Sequence, residues 1–344
     1  MKATTMKMWC LALASLAFAG CGADTSADDE DGDDEDVPES QAQELRVVNP
    51  VKTNCADPSV MRDGATYYLT CTGGDGKGNL FPIYTSTNLK SWTRAGEVFK
   101  KGATPVWANG NYWAPELHHV EGGYIAVFSA KSKANGKNVV GVAKGASPSG
   151  PFTDKGAPLF GSAGPSRIDA HVVSVDGKPI LYWKTEEFQN GRQADTIRAA
   201  ALTANGMALA GDTREVMRFG EGWEHGVVEG PWVIKRGSFY YLFYSGAFFC
   251  NDTYGVGVAR SKSPFGPFEK KGAPILKSGE RWLGPGHNAV TRGPDNQLYA
   301  VYHAYKKSEG IPRCEEPVTD NDARHTLIDR IVFKSGWPTI TSRL

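Results

Sequence analysis

Apolar residues along this chain gather in short runs rather than helical stripes. Five runs share a character, beginning at Tyr67 (YYLTCTG), Tyr124 (YIAVFSA), Ile180 (ILYWKTE), Tyr240 (YYLFYSG) and Leu298 (LYAVYHAY). Each is rich in aromatic and β-branched residues and is bounded by Gly, Asp or Asn, which predicts a strand. The segments ahead of them, such as Asp63-Gly64, Asp176-Gly177 and Asp295-Asn296, suit hairpin turns. The runs start 57, 56, 60 and 58 residues apart. A second pattern, Val140-Gly-Val-Ala through Phe152, returns as Val256-Gly-Val-Ala through Phe268, an offset of 116 residues. That is twice the same period, and a fixed period marks a repeated supersecondary unit. The prediction is all-β: a single-domain, five-bladed β-propeller over residues 46–344, each blade a four-stranded sheet around a central channel. A β-sandwich would space its strands more evenly and would not repeat at this length.

One ionisable residue stands 8 to 11 positions upstream of each run: Asp57, Glu116, Asp169, Glu229 and His287. In a propeller that stretch is the innermost strand, so all five are expected to point into one funnel. Taken singly, each has an ordinary explanation, since Asp57-Pro58 alone is a turn signal. Four carboxylates converging without use would cost several kcal/mol in repulsion and desolvation. Crowding also splits carboxyl pKa values, leaving one protonated while another ionises. Glycoside cleavage needs that division between an acid for the leaving oxygen and a base for water. Calcium is the rival use, but it takes several oxygens close together, and opposite blades stand well apart.

The motifs around these positions resemble family 43 glycoside hydrolases, the arabinanase, α-L-arabinofuranosidase and β-xylosidase group. They are Ala56-Asp57-Pro58-Ser59-Val60, Tyr112-Trp113-Ala114-Pro115-Glu116, Arg167-Ile168-Asp169-Ala170-His171, Val228-Glu229-Gly230-Pro231-Trp232 and Gly284-Pro285-Gly286-His287-Asn288. The resemblance implies an inverting hydrolase with Asp57 as general base, Glu229 as general acid, and Asp169 orienting the acid and tuning its pKa. It implies substrate contacts from Glu116, His287 and Arg324, the last in a loosely matching closing segment. No cofactor is required, although His287 matches a histidine that holds a structural calcium in some members. Because sugars stack on aromatic faces, Trp113 and Trp223 are further candidate contacts. The expected activity is release of arabinose by an α-L-arabinofuranosidase or exo-arabinanase. Endo-α-1,5-arabinanase and β-xylosidase are the alternatives, and a lipid-tethered sugar-binding propeller is the non-enzymatic one. Expected partners are plant cell-wall polysaccharides, arabinan or arabinoxylan, with no nucleic acid, and the chain is expected to be a monomer.

The ends of the chain change the picture in one respect. Lys2 and Lys7 precede an apolar stretch, Met8 to Gly20, too short to span a bilayer comfortably. It closes on Phe18-Ala19-Gly20-Cys21, which resembles the bacterial lipoprotein box. Residues 1–20 are therefore expected to be a lipoprotein-type signal peptide, with lipid on Cys21 as the only membrane attachment. The destination is then the outer membrane or cell surface, with plain secretion as the alternative. Residues 21–45 read as an acidic disordered tether: eleven acids fall between Asp24 and Glu44, with no Lys or Arg. Over 45–344 the balance reverses to 36 basic residues against 27 acids, a surplus of nine. Setting aside Cys10 and Cys21 leaves four cysteines, an even number that suggests two disulfides in an exported protein. Cys55–Cys71 is favoured because the turn at Arg62–Ala65 folds their segments together, and Cys250–Cys314 follows by elimination.

Overall fold

Each sequence repeat folds into a four-stranded antiparallel sheet. The computed structural model describes Met1, residues 45–311 and residues 323–342. The expected leader beyond Met1, Cys21, the tether up to Glu44 and the Cys250–Cys314 pairing (through Cys314) lie outside the described residues. The sheets all belong to one unit, Pro38–Leu344.

Blade 1 is β1 (Ser59–Asp63), β2 (Thr66–Thr70), β3 (Leu80–Ser86) and β4 (Thr93–Phe99). Blade 2 is β5 (Trp113–Val120), β6 (Gly123–Lys131), β7 (Asn138–Gly145) and β8 (Thr153–Asp154). Blade 3 begins with β9 (Arg167–Val175) and β10 (Lys178–Thr185). An extra hairpin follows, β11 (Phe188–Gln189) and β12 (Arg192–Gln193), before β13 (Thr196–Ala201) and β14 (Arg214–Arg218). Blade 4 is β15 (Val228–Arg236), β16 (Phe239–Gly246), β17 (Gly255–Ser261) and β18 (Glu269–Lys270). Blade 5 is β19 (Trp282–Arg292), β20 (Leu298–Lys306), β21 (Arg324–Lys334) and β22 (Trp337–Thr341). Within every blade the strands pair in chain order, the added hairpin aside. Inner strands touch in a closed circle, β1 to β5 to β9 to β15 to β19 and back to β1. Five blades around one axis is the predicted propeller.

The core is a set of layers between blades rather than one central mass. Phe81, Phe99 and Phe128 pack together between blades 1 and 2, and Phe128 stacks on Trp107. Trp183 fills the layer between blades 2 and 3, and Tyr182, Leu242 and Tyr244 the next. Truncating one of these aromatics to Ala costs about 3–5 kcal/mol, because a blade interface has little freedom to collapse.

The chain closes its ring through the segment ahead of blade 1. Val51 N–H donates to the Thr326 carbonyl at 3.0 Å, Thr326 N–H to Lys52 at 2.8 Å, and Cys55 N–H to Arg324 at 2.9 Å. Asn49 donates to and accepts from the backbone of Ile328. This segment covers the first half of β21, and β22 covers the second half from Arg330 onward. A disulfide joins Cys55 to Cys71 with Cα atoms 5.2 Å apart, as the sequence suggested. It ties the ring seam to the end of β2, one residue before Thr72.

Candidate active site

Five residues near the starts of the inner strands share an unusual backbone. Asp57, Ala114, Asp169, Gly230 and His287 all have left-handed φ, between 46° and 56°. Four are not glycine, and such a conformation costs of order 1–3 kcal/mol unless the surroundings impose it. In β5, β9, β15 and β19 the pairing with the second strand slips at this point, the mark of a bulge that re-aims side chains.

The preceding blade imposes the conformation by capping each N–H. Ala114 donates to Thr72 Oγ1 at 2.8 Å, Asp169 to Ser129 Oγ at 3.0 Å and His287 to Ser245 Oγ at 2.7 Å. Asp57 donates to His303 Nδ1 at 3.1 Å, and Gly230 donates to Asp169 Oδ2 at 3.0 Å. The circle therefore has five caps, and at the step from blade 3 to blade 4 the cap is itself a site carboxylate.

This geometry corrects the alignment of the five ionisable residues. Asp57, Asp169 and His287 occupy the left-handed position. Glu229 stands one residue before it, and Glu116 two residues after Ala114. Glu116 therefore lies at the same level as His171 and Trp232, whose rings are 4.4 Å apart. It is buried, and its Oε2 lies 3.0 Å from His118 Nε2 and 2.9 Å from His171 Nδ1. Burial holds both imidazoles below their ordinary pKa, His171 at about 3, and holds Glu116 above its own. Glu116, expected to contact substrate, thus lies deeper than the other carboxylates and is held by two imidazoles. Trp113 shares the level of Glu229, one residue before its blade's left-handed position, and is half-buried.

Asp57 is the most strongly ionised carboxyl of the group. Arg324 donates to Oδ1 at 2.7 Å and Thr72 to Oδ2 at 2.5 Å, with His287 Nδ1 3.6 Å away. Burial opposes the charge, but Arg324 and His287 outweigh it and hold the group well below the usual carboxylate range. Arg324, expected to reach substrate, is a partner of Asp57, with its guanidinium over the Phe249 ring.

Asp169 has no such direct cation. Burial pushes it up to about 7, with Glu229 and Asp57 adding to the rise and His287, 4.0 Å away, opposing it. Glu229 takes hydrogen bonds from Lys184 Nζ at 2.9 Å and Tyr254 Oη at 2.8 Å. Burial raises it, but Lys184 and Tyr254 prevail and its pKa falls below normal. The two carboxyls are coupled, so their proton belongs to the pair.

His287 is driven up against its own burial by Asp57 and Asp169 on its Nδ1 side. The surroundings do not fit a protein-built calcium site. That ion takes six to eight oxygens, whereas His287 Nδ1 has one carboxylate oxygen each from Asp57 and Asp169 beside it, at 3.6 and 4.0 Å. Trp223, the other aromatic candidate, is half-buried in blade 4. Its indole donates to the Gly272 carbonyl at 2.7 Å, stacks near Tyr244 and covers the backbone of Gly246 and Gly257. It holds blade 4 together.

Sequence reasoning missed Lys184, Tyr254 and His303. For His303 a signal was present, since Thr72, Ser129, Ser245 and His303 all stand five residues into their runs. Lys184 stands four in, and only strand register places it with them, opposite the residue before the left-handed position.

A carboxylate kept ionised, a carboxyl kept protonated up to about neutrality, and a third held between a lysine and a tyrosine form the equipment of a glycoside hydrolase. The chain belongs to glycosyl hydrolase family 43, whose model, described as Glycosyl hydrolases family 43, matches residues 47–338. It is 27% identical over 286 residues to the extracellular exo-α-(1→5)-L-arabinofuranosidase ArbA of Cellvibrio japonicus, covering 74% of this chain and 79% of that one. It is 28% identical over 309 residues to the extracellular endo-α-(1→5)-L-arabinanase 1 of Bacillus subtilis, covering 82% and 86%. The crystal structure of a thermostable family-43 glycoside hydrolase superposes with a TM-score of 0.75 at 30% identity, covering 86% and 96%. The non-enzymatic sugar-binding reading finds no support in these matches.

Proposed function

We propose that this protein is an exported, inverting exo-hydrolase that releases arabinose from α-1,5-linked arabinan and arabinan side chains. The observation that carries the reading is the contrast between Asp57, held ionised by Arg324, and the proton-sharing pair Asp169 and Glu229 across the same funnel. In this mechanism Asp57 takes a proton from the attacking water. Glu229 delivers a proton to the departing glycosidic oxygen, and Asp169 holds the Gly230 N–H beside it and shares the proton. Inversion follows because the water enters from the face opposite the acid. The similarity to ArbA and to the B. subtilis arabinanase supports arabinan as substrate, and the word extracellular in both names supports export.

Three measurements test this. Early products from debranched arabinan should be arabinose or another single short sugar, and a broad ladder would mean endo action. Proton NMR of the first product should show the inverted anomer. Glu229→Gln should lower kcat by about 10²–10⁴-fold on arabino-oligosaccharides, and far less on a nitrophenyl arabinoside whose leaving group needs little protonation. Equal losses on both would remove Glu229 from the role of acid.

A further inference from the structure

Blade 3 breaks the cap pattern at Lys184. Its counterparts Thr72, Ser129, Ser245 and His303 each cap the left-handed N–H of the next blade. Lys184 leaves that N–H to Asp169 and instead spans two carboxylates, Asp195 Oδ2 at 3.0 Å and Glu229 Oε2 at 2.9 Å. Lys184 is 3% exposed and Asp195 is wholly buried. A buried ammonium is expensive to desolvate, and a cap would have sufficed for the fold. Asp195 is anchored in turn, donating its N–H to Gly226 and accepting from Gln193 Nε2 at 2.9 Å at the base of the β11–β12 hairpin.

We propose that Lys184 is a positioning residue: tethered by Asp195, it fixes the Glu229 carboxyl toward the leaving-group oxygen and sets the strength of that acid. The inference rests on the reading of Glu229 as the proton donor. The groups facing Glu229 are Lys184 from β10, Asp169 from β9, His287 from β19, Tyr254 ahead of β17 and Asp195 ahead of β13. Glu186 acts on Lys184 itself. Lys184 is the one cation hydrogen-bonded to Glu229 among the described residues. Tyr254 holds the other oxygen, so both oxygens of the carboxyl are fixed.

The test is the alkaline limb of kcat/KM, which reports loss of the acid's proton in the free enzyme. Lys184→Met removes the cation that favours ionisation, so this limb should move to higher pH by about one to three units. Its kcat should fall more on arabino-oligosaccharides than on the nitrophenyl arabinoside, and Lys184→Arg should restore both towards wild type. Asp195→Asn keeps the lysine but removes the carboxylate competing for it, so its limb should move the opposite way, to lower pH. It serves where Lys184→Met does not fold. Opposed shifts support the proposal. A folded Lys184→Met with an unmoved limb and equal losses on both substrates overturns it, as does an unmoved limb in Asp195→Asn. Glu229→Gln run in parallel separates the two levels: if it behaves as an acid variant while the limbs stay still, only the role of Lys184 fails.

Discussion

Asp57 and Asp169 are chemically identical side chains at equivalent positions two blades apart, and their neighbours give them opposite behaviour. Arg324 bonds one directly, while the other caps a backbone N–H and faces two carboxylates. Activity should therefore persist to acid pH, since Asp57 stays ionised below the usual carboxylate range, and should decline as pH rises through about 7 and the pair loses its proton. Arg324→Gln should move the acidic limb of kcat/KM to higher pH, and a pH–rate profile checks it. Stability follows the same direction. The depressed pKa of Asp57 contributes stability above the unfolded value of about 3.9 that is lost as pH falls through the folded value, and the variant should narrow that window. The sequence showed which carboxyls meet, because the repeat phase carries that information. It did not show that Glu116 sits a level deeper, because a bulge shifts the count by one or two residues without changing the local pattern. Nor did it pair Arg324 with Asp57, a contact 267 residues apart along the chain.

At the scale of the strand, the funnel is built by bulges that would relax without their caps. Ser129 is buried and its hydroxyl accepts the Asp169 N–H. Ser129→Ala leaves that donor unpaired, a cost of about 1–3 kcal/mol. The melting temperature should drop by roughly 2–10 °C, and kcat should fall with it as Asp169 loses its fixed backbone. Ser261→Ala, which removes a hydroxyl that caps a turn after β17, is the comparison: it should lower the melting temperature and leave kcat alone. A parallel loss of kcat in both variants would mean that general loosening, not the cap on Asp169, is responsible. The strands themselves were legible because aromatic runs bounded by turn residues need no long-range knowledge. The extra β11–β12 hairpin was not, since two-residue strands of mixed polarity carry no period.

Over the whole molecule, the basic surplus of residues 45–344 bears on capture of substrate. Arabinan attached to a galacturonate backbone is anionic, and a basic surface steers such a polymer from a distance. Screening limits the effect to roughly 8 Å at physiological salt. kcat/KM on pectin-attached arabinan should fall as salt rises, while neutral arabino-oligosaccharides keep a flat response. Parallel salt titrations decide it, and identical curves leave the charge without a part in capture.

The seam of the ring has a consequence for biosynthesis. Asp57 is translated early, yet the arginine that keeps it charged and the strand that clasps the segment before it belong to β21. A ribosome that stalls ahead of β21 releases a nascent product with most of its sheets encoded and a base lacking its cation. Every upstream carboxylate would be present, but Asp57 would lack the guanidinium that bonds it. With Asp57 read as the base, a chain ending before β21 is expected to be inactive, since it lacks both Arg324 and the strand that clasps residues 51–55.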